Sequence, residues 1–282
     1  MSFQWITEDA EQREATEWLS VDPRAIVVCL PGMSGAAEQF APVAGCSERL
    51  KVISADLRGQ GNDRVPGRRG ALLDVESQHR DIRALLQAVR GNHPDLPVFL
   101  AGESMGALLA ASYAAAHPQN GLAGLILSVP VVALRRPVPA IVKQAVRILG
   151  AVAPGLRCRP SLFVNGKTLS PPLTRDKAYQ DSMREKPHYV HDFSFRFLAE
   201  LGELIEASHH HAARLQTPSL TLVAGQDCFV TVDQIRQWHA RIPAGEKSLR
   251  IYPDAYHLLW HDWDRDEVLR DIGEWIEARI PD

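Results

Sequence analysis

From Ala25 onward the chain alternates short, unbroken apolar runs with longer stretches of helical periodicity. The runs are residues 25–30 (Ala-Ile-Val-Val-Cys-Leu), 51–56, 97–102, 122–127, 219–225 and 248–252. They lack the polar alternation of a half-solvated strand and read as strands buried on both faces. Between them, Leu73, Ile82, Leu85, Leu86 and Val89 recur at helical spacing among Arg, Gln and Asp. Residues 105–116 are small and apolar throughout, which suits a helix pressed on a sheet. Val268, Ile272, Trp275, Ile276 and Ile280 form a stripe on a closing helix that begins near Asp264. Strands alternating with helices need crossover connections, so the pattern predicts an α/β fold with a mostly parallel sheet covered on both faces. The first twenty residues alternate loosely and fit an edge hairpin.

One region breaks the rhythm. Residues 130–217 hold no convincing strand yet are far too many for a loop. Helix-like stretches at 138–152, 177–183 and 193–213 make this a helical cap inserted over the carboxyl edge of the sheet. The core is then residues 1–129 and 218–282. Val138, Ile141, Val142, Ala145, Val146, Ile148, Leu149 and Val152 give the first cap helix one apolar face, with Lys143 and Arg147 a turn apart. That face either packs on the body or touches a lipid surface. Phe193, Phe195 and Phe197 suit an acyl channel or ordinary packing equally.

The sharpest local signal is Gly102-Glu103-Ser104-Met105-Gly106, placed directly after an apolar run and directly before the small-residue helix. A serine on so tight a strand-to-helix turn has its hydroxyl lifted out of the sheet, with glycines removing side chains that would clash. Serine needs a base, and the base needs an orienting acid. In the chain order serine, acid, histidine, Asp227 follows the 219–225 run and His257 follows the 248–252 run. His261 and Asp254 are the rivals. His257 stands nearer its strand end, and Asp254 reads as a turn residue. Residues 127–130, after the next strand, offer no carboxylate. An oxyanion site needs two backbone N–H groups, for which Met105 and Met33, in the loop Pro31-Gly32-Met33-Ser34-Gly35, are the candidates.

Composition narrows the partners. With 31 Lys and Arg against 34 Asp and Glu, the net charge of −3 gives no footing for a nucleic-acid backbone. Arg68-Arg69 and Arg135-Arg136 are too short to change that and read as solvated loop charges. No signal-like start and no apolar stretch long enough to span a membrane is evident, and the four scattered cysteines fit a reducing cytoplasm. His209-His210-His211 cannot easily share one metal ion, because adjacent helical residues point apart, so a solvated face is expected. No phosphate-cradling loop is present, and the chemistry needs neither metal nor cofactor.

These residues resemble the α/β-hydrolases of the monoacylglycerol lipase and lysophospholipase group, which borders the serine aminopeptidases. The resemblance rests on Pro31-Gly32-Met33, on residues 56–61 (Asp-Leu-Arg-Gly-Gln-Gly) and on the elbow. Gly225-Gln226-Asp227, residues 252–257 and a cap-like stretch at 173–201 extend it over nearly the whole chain. The chain departs where the group has His-Gly for Pro31-Gly32, a further Gly for Ala107 and Glu for Leu258. No triad group or backbone donor is lost. The resemblance implies a sheet of about eight strands and hydrolysis, through an acyl-enzyme, of a lipid-like monoester of monoacylglycerol or lysophospholipid type. Transient membrane contact through the cap goes with it. The alternatives are a ligand-binding α/β-hydrolase with little turnover, a thioesterase or an acyltransferase.

Overall fold

The computed structural model describes residues 1–63, 65–160, 172–243 and 245–280. Its main sheet has eight strands in the order β1-β2-β4-β3-β5-β6-β9-β10. β1 (Ser2–Ile6) and β2 (Gln12–Trp18) form the edge hairpin, and β2 joins β4 (Leu50–Ala55) antiparallel. From β4 the pairing is parallel through β3 (Ala25–Leu30), β5 (Val98–Glu103), β6 (Gly124–Ser128), β9 (Ser219–Ala224) and β10 (Lys247–Tyr252). Every residue of β3, β4, β5, β6 and β9 is buried, as unbroken apolar runs require.

Two apolar clusters lie on the two faces of this sheet. One packs α2 (Val75–Asn92), α3 (Met105–Ala116) and α7 (Val232–Ala240) against Ile26, Val28 and Leu100. The other sets Phe40, α1 (Ala41–Ala44), Trp260 and α8 (Arg265–Glu277) against Val27, Phe99 and Ile126. α3 is buried along almost its whole length, so its small residues let it sit close to the strands.

Between β6 and β9 lie α4 (Ala140–Val152), a two-stranded ladder of β7 (Arg157–Cys158) and β8 (Phe193–Ser194), α5 (Lys177–Glu185) and α6 (Phe195–Ala212). Residues 161–171 of this insertion, Pro171 included, lie outside the described residues. Phe193 and Phe197 are buried in the core, 4.6 Å apart between ring centroids. α4 turns its apolar positions to solvent. Ile141 is 80% and Val152 72% exposed, and Gly150 is its buried residue. A side chain at Gly150 would come within 2.9 Å of the Arg196 backbone, which explains why α4 meets α6 there. Lys143 and Arg147 both reach Glu206 of α6 at 2.8 Å.

Two expectations about surface charge change. Arg68 is drawn into a network with Glu11 and Asp63, which also involves Arg58, Asp81 and Arg13. It fastens the β1–β2 turn to the 56–70 loop. Arg135 donates to the Asp227 carbonyl at 2.6 Å and so is no solvated loop charge. Sequence spacing carries no information about partners 57 or 92 residues away, so neither contact is visible in the sequence.

Candidate active site

Ser104 caps the N-terminus of α3 directly after β5, with φ 56° and ψ −115°. That left-sided backbone is strained for a residue with a side chain, and the surroundings enforce it. A Cβ at Gly102 would meet the Gly106 carbonyl at 2.3 Å, and one at Gly106 would meet the Leu30 carbonyl at 2.1 Å. The two glycines therefore let the elbow close on itself and on β3.

The 31–35 loop lies against the elbow: a Cβ on Gly32 would stand 3.1 Å from Ser104 Cβ. Gly35 N–H donates to the Gly32 carbonyl at 3.0 Å, closing a turn whose third residue, Ser34, has φ 66°. Met33 is the second residue of that turn, so its N–H is not the one the turn consumes. Met105 opens α3, where a first-turn N–H has no acceptor within the helix. Gln60, fully buried, accepts from Ser34 N–H at 2.9 Å and holds the loop from beneath. Asp56 accepts from Ala37 N–H at 2.7 Å and from Asn62 N–H at 2.9 Å. The 56–61 motif thus shapes this loop.

Asp227 and His257 follow neighbouring strands β9 and β10 and meet at 2.6 Å, Oδ2 to Nδ1, with both side chains buried. The other carboxylate oxygen accepts from Phe229 N–H at 2.7 Å and Val230 N–H at 3.2 Å. Phe229 covers the imidazole edge-on, 4.8 Å between centroids. Burial works to lower the imidazole pKa, but the facing Asp227 carboxylate outweighs it and the net direction is upward.

The rivals are placed elsewhere. His261 stacks on Tyr179 at 3.9 Å with Nε2 2.8 Å from the Gln39 carbonyl, and burial pulls its pKa down to about 4. Asp254 is exposed on its turn. His210 is exposed while His209 and His211 are half-buried, so the three rings spread around α6. Among the described residues no cluster of three or more His, Cys, Asp or Glu could hold a metal ion.

Two groups, Glu103 and Asp262, have no role in the sequence reading, and Arg135 has the wrong one there. Glu103, beside Ser104, is buried with Oε1 unpaired, and burial pushes its pKa up to about 8; it also senses the charge on His257. Arg135 ties the acid loop, and Asp262 ties the histidine loop to Arg175. Glu103 could have been found as a charge inside an apolar strand. The other two depend on contacts across the fold.

The sheet order, the crossover helices and the elbow define an α/β-hydrolase. The chain belongs to the family described as serine aminopeptidase, S33, whose sequence pattern matches residues 21–264. It is 28% identical over 262 residues to a monoacylglycerol lipase of Mycolicibacterium smegmatis, covering 92% of this chain and 90% of that one. It is 26% identical to the phospholipase YtpA of Bacillus subtilis, covering 93% and 99%. A soluble variant of the Saccharomyces cerevisiae monoglyceride lipase, solved with a substrate analogue, superposes with a TM-score of 0.83 at 19% identity, covering 99% of this chain and 96% of that one. The chain is a carboxylic ester hydrolase.

Proposed function

We propose that Ser104, His257 and Asp227 form a catalytic triad that hydrolyses a lipid-like monoester through an acyl-enzyme. The buried 2.6 Å bond between His257 and Asp227, at the edge of the sheet where Ser104 also emerges, carries this reading. Ser104 attacks the carbonyl carbon as its proton passes to His257 Nε2. Collapse of the tetrahedral adduct returns that proton to the leaving alcohol, and water then repeats the sequence to free the acid. Asp227 fixes the imidazole tautomer. The Met33 and Met105 N–H groups receive the oxyanion, with the α3 N-terminus adding its positive pole.

The insertion of residues 130–217 is read, in its described parts, as a cap over this site. It touches all three loops of the site: Arg135 meets the Asp227 carbonyl, the Leu173 carbonyl takes Leu258 N–H, and the Val190 carbonyl takes Ser34 Oγ. The relatives named for monoacylglycerol and phospholipid cleavage favour a single-chain lipid ester. No described helix is long and apolar enough to cross a membrane. The exposed apolar face of α4, with Ile141, Ile148 and Val152, is the surface a lipid would meet. The four free cysteines fit a cytoplasmic setting.

The test is turnover of p-nitrophenyl esters from acetate to palmitate and of a monoacylglycerol, with Ser104→Ala and His257→Ala alongside. Loss in both variants supports the triad, and the preferred chain length sizes the acyl site. Equal rates in the variants would sink it. The family's description names an aminopeptidase, so an aminoacyl p-nitroanilide belongs in the same assay to show whether amides are cut beside esters.

A further inference from the structure

A carboxylate outside the triad holds the loop that carries His257. The Asp262 side chain is shielded from solvent. Its Oδ2 accepts from Tyr256 N–H at 2.5 Å. Its Oδ1 accepts from Trp263 N–H at 2.9 Å, Arg175 N–H at 3.1 Å and Arg175 Nε at 2.8 Å. Burial alone would raise its pKa, but Arg175 and the backbone donors outweigh that and keep the carboxyl below its ordinary range. Arg175 continues to Asp264 through Nη2 at 2.7 Å and lies 5.1 Å over the Trp263 ring.

The same contacts bracket the histidine. Tyr256, just before it, gives its N–H to Asp262. Leu258, just after it, gives its N–H to the Leu173 carbonyl at 2.8 Å. Leu173 lies two residues before Arg175, and Thr174 between them donates through Oγ1 to the His261 carbonyl at 2.6 Å. The backbone on both sides of His257 is thus anchored to one short piece of the insertion, with the Asp262–Arg175 pair as its ionic centre.

We propose that Asp262 and Arg175 are positioning residues for His257, fixing the backbone on either side of the ring so that its alignment depends on the seating of residues 173–175. The proposal rests on the reading of His257 as general base. Proton transfer needs the imidazole between Asp227 and Ser104 to within a fraction of an ångström, and a misplacement of about 1 Å costs roughly 100-fold in rate. An insertion that lifts off would release the Leu258 N–H and the Arg175 guanidinium together, and the base would lose its register.

The experiment compares Asp262→Asn, Arg175→Ala and Arg175→Lys in the full chain with Ser104→Ala and His257→Ala, using p-nitrophenyl butyrate. It also records the low-field proton resonance of His257 Nδ1–H. Asp262→Asn and Arg175→Ala are expected to lower kcat roughly 10- to 100-fold with KM changed less than about threefold, and to broaden or remove the resonance. Arg175→Lys should recover part of kcat, since it keeps the charge but not the forked donor. Arg175 is partly exposed, so its variants decide the matter even if Asp262→Asn fails to fold. Wild-type kcat and an unchanged resonance in folded Arg175→Ala would overturn the clamp alone. Undiminished turnover in Ser104→Ala and His257→Ala would overturn the triad, and the clamp with it.

Discussion

His257 Nδ1 and Asp227 Oδ2 lie 2.6 Å apart, joining the turns that end two adjacent parallel strands. Because the carboxylate outweighs burial, the imidazole pKa stands above its usual 6.5. A general base works only when neutral, so kcat/KM on an uncharged ester should fall as pH drops through a value above 6.5. In Asp227→Asn that limb should move to lower pH, and kcat should fall by roughly three to four orders of magnitude. A pH–rate profile of the two proteins checks both. A limb that stays in place in the variant would detach Asp227 from the base.

Glu103 gives a prediction of opposite character. Its carboxyl is buried, Oε1 has no partner, and its pKa is raised to about 8. The native state therefore holds a proton that the unfolded chain releases near the ordinary glutamate value of about 4.5. Between those limits the native state binds more protons, so this group's contribution to stability is full below 4.5 and declines as pH rises toward 8. Glu103→Gln mimics the protonated form and should raise Tm by roughly 2–5 °C at pH 8, with the gain shrinking toward pH 5. Thermal scans across that range measure it, and a gain independent of pH would contradict the assignment.

Gly32 sets the 31–35 loop, proposed to receive the oxyanion, against Ser104. A methyl group there would stand 3.1 Å from Ser104 Cβ and 3.2 Å from the Glu103 carbonyl, tighter than ordinary contact yet short of a hard clash. The loop can give by a few tenths of an ångström, which spares the fold but moves the Met33 N–H. Gly32→Ala should keep its Tm within a few degrees and lose roughly 10- to 100-fold in kcat. At Gly106 the obstacle is the Leu30 carbonyl at 2.1 Å, so Gly106→Ala should instead fail to accumulate as folded protein. Similar behaviour of the two alanine variants would argue against separate roles.

Unbroken apolar runs made the buried strands legible, because only residues enclosed on both faces can dispense with polar alternation. The elbow was legible for a related reason: Gly102 and Gly106 are demanded by backbone closer than any side chain allows. Asp227 and His257 could be placed because each follows its strand directly. Arg135 and Asp262 could not, since their meaning lies in a carbonyl 92 residues away and in a guanidinium 87 residues away. The α4 pattern was ambiguous in principle, because an amphipathic stripe looks the same whether it faces the protein body or the outside.

The structure turns that stripe outward, and its energetics bear on how a lipid would be reached. Ile141, Ile148 and Val152 are exposed together, and an aliphatic side chain moved fully out of water gains about 1.5–3 kcal/mol. Lys143 and Arg147, the cations of α4, are already paired with Glu206. Attraction to a bilayer should therefore be chiefly apolar, with little dependence on anionic lipid or on salt. Replacing Ile148 and Val152 together by Glu should weaken flotation with phosphatidylcholine vesicles and raise KM for a vesicle-borne monoacylglycerol roughly tenfold or more. Turnover of p-nitrophenyl acetate, which reaches the site from solution, should not change. Loss on both substrates would mean that α4 shapes the site itself, and loss on neither would leave the helix without a part in lipid access.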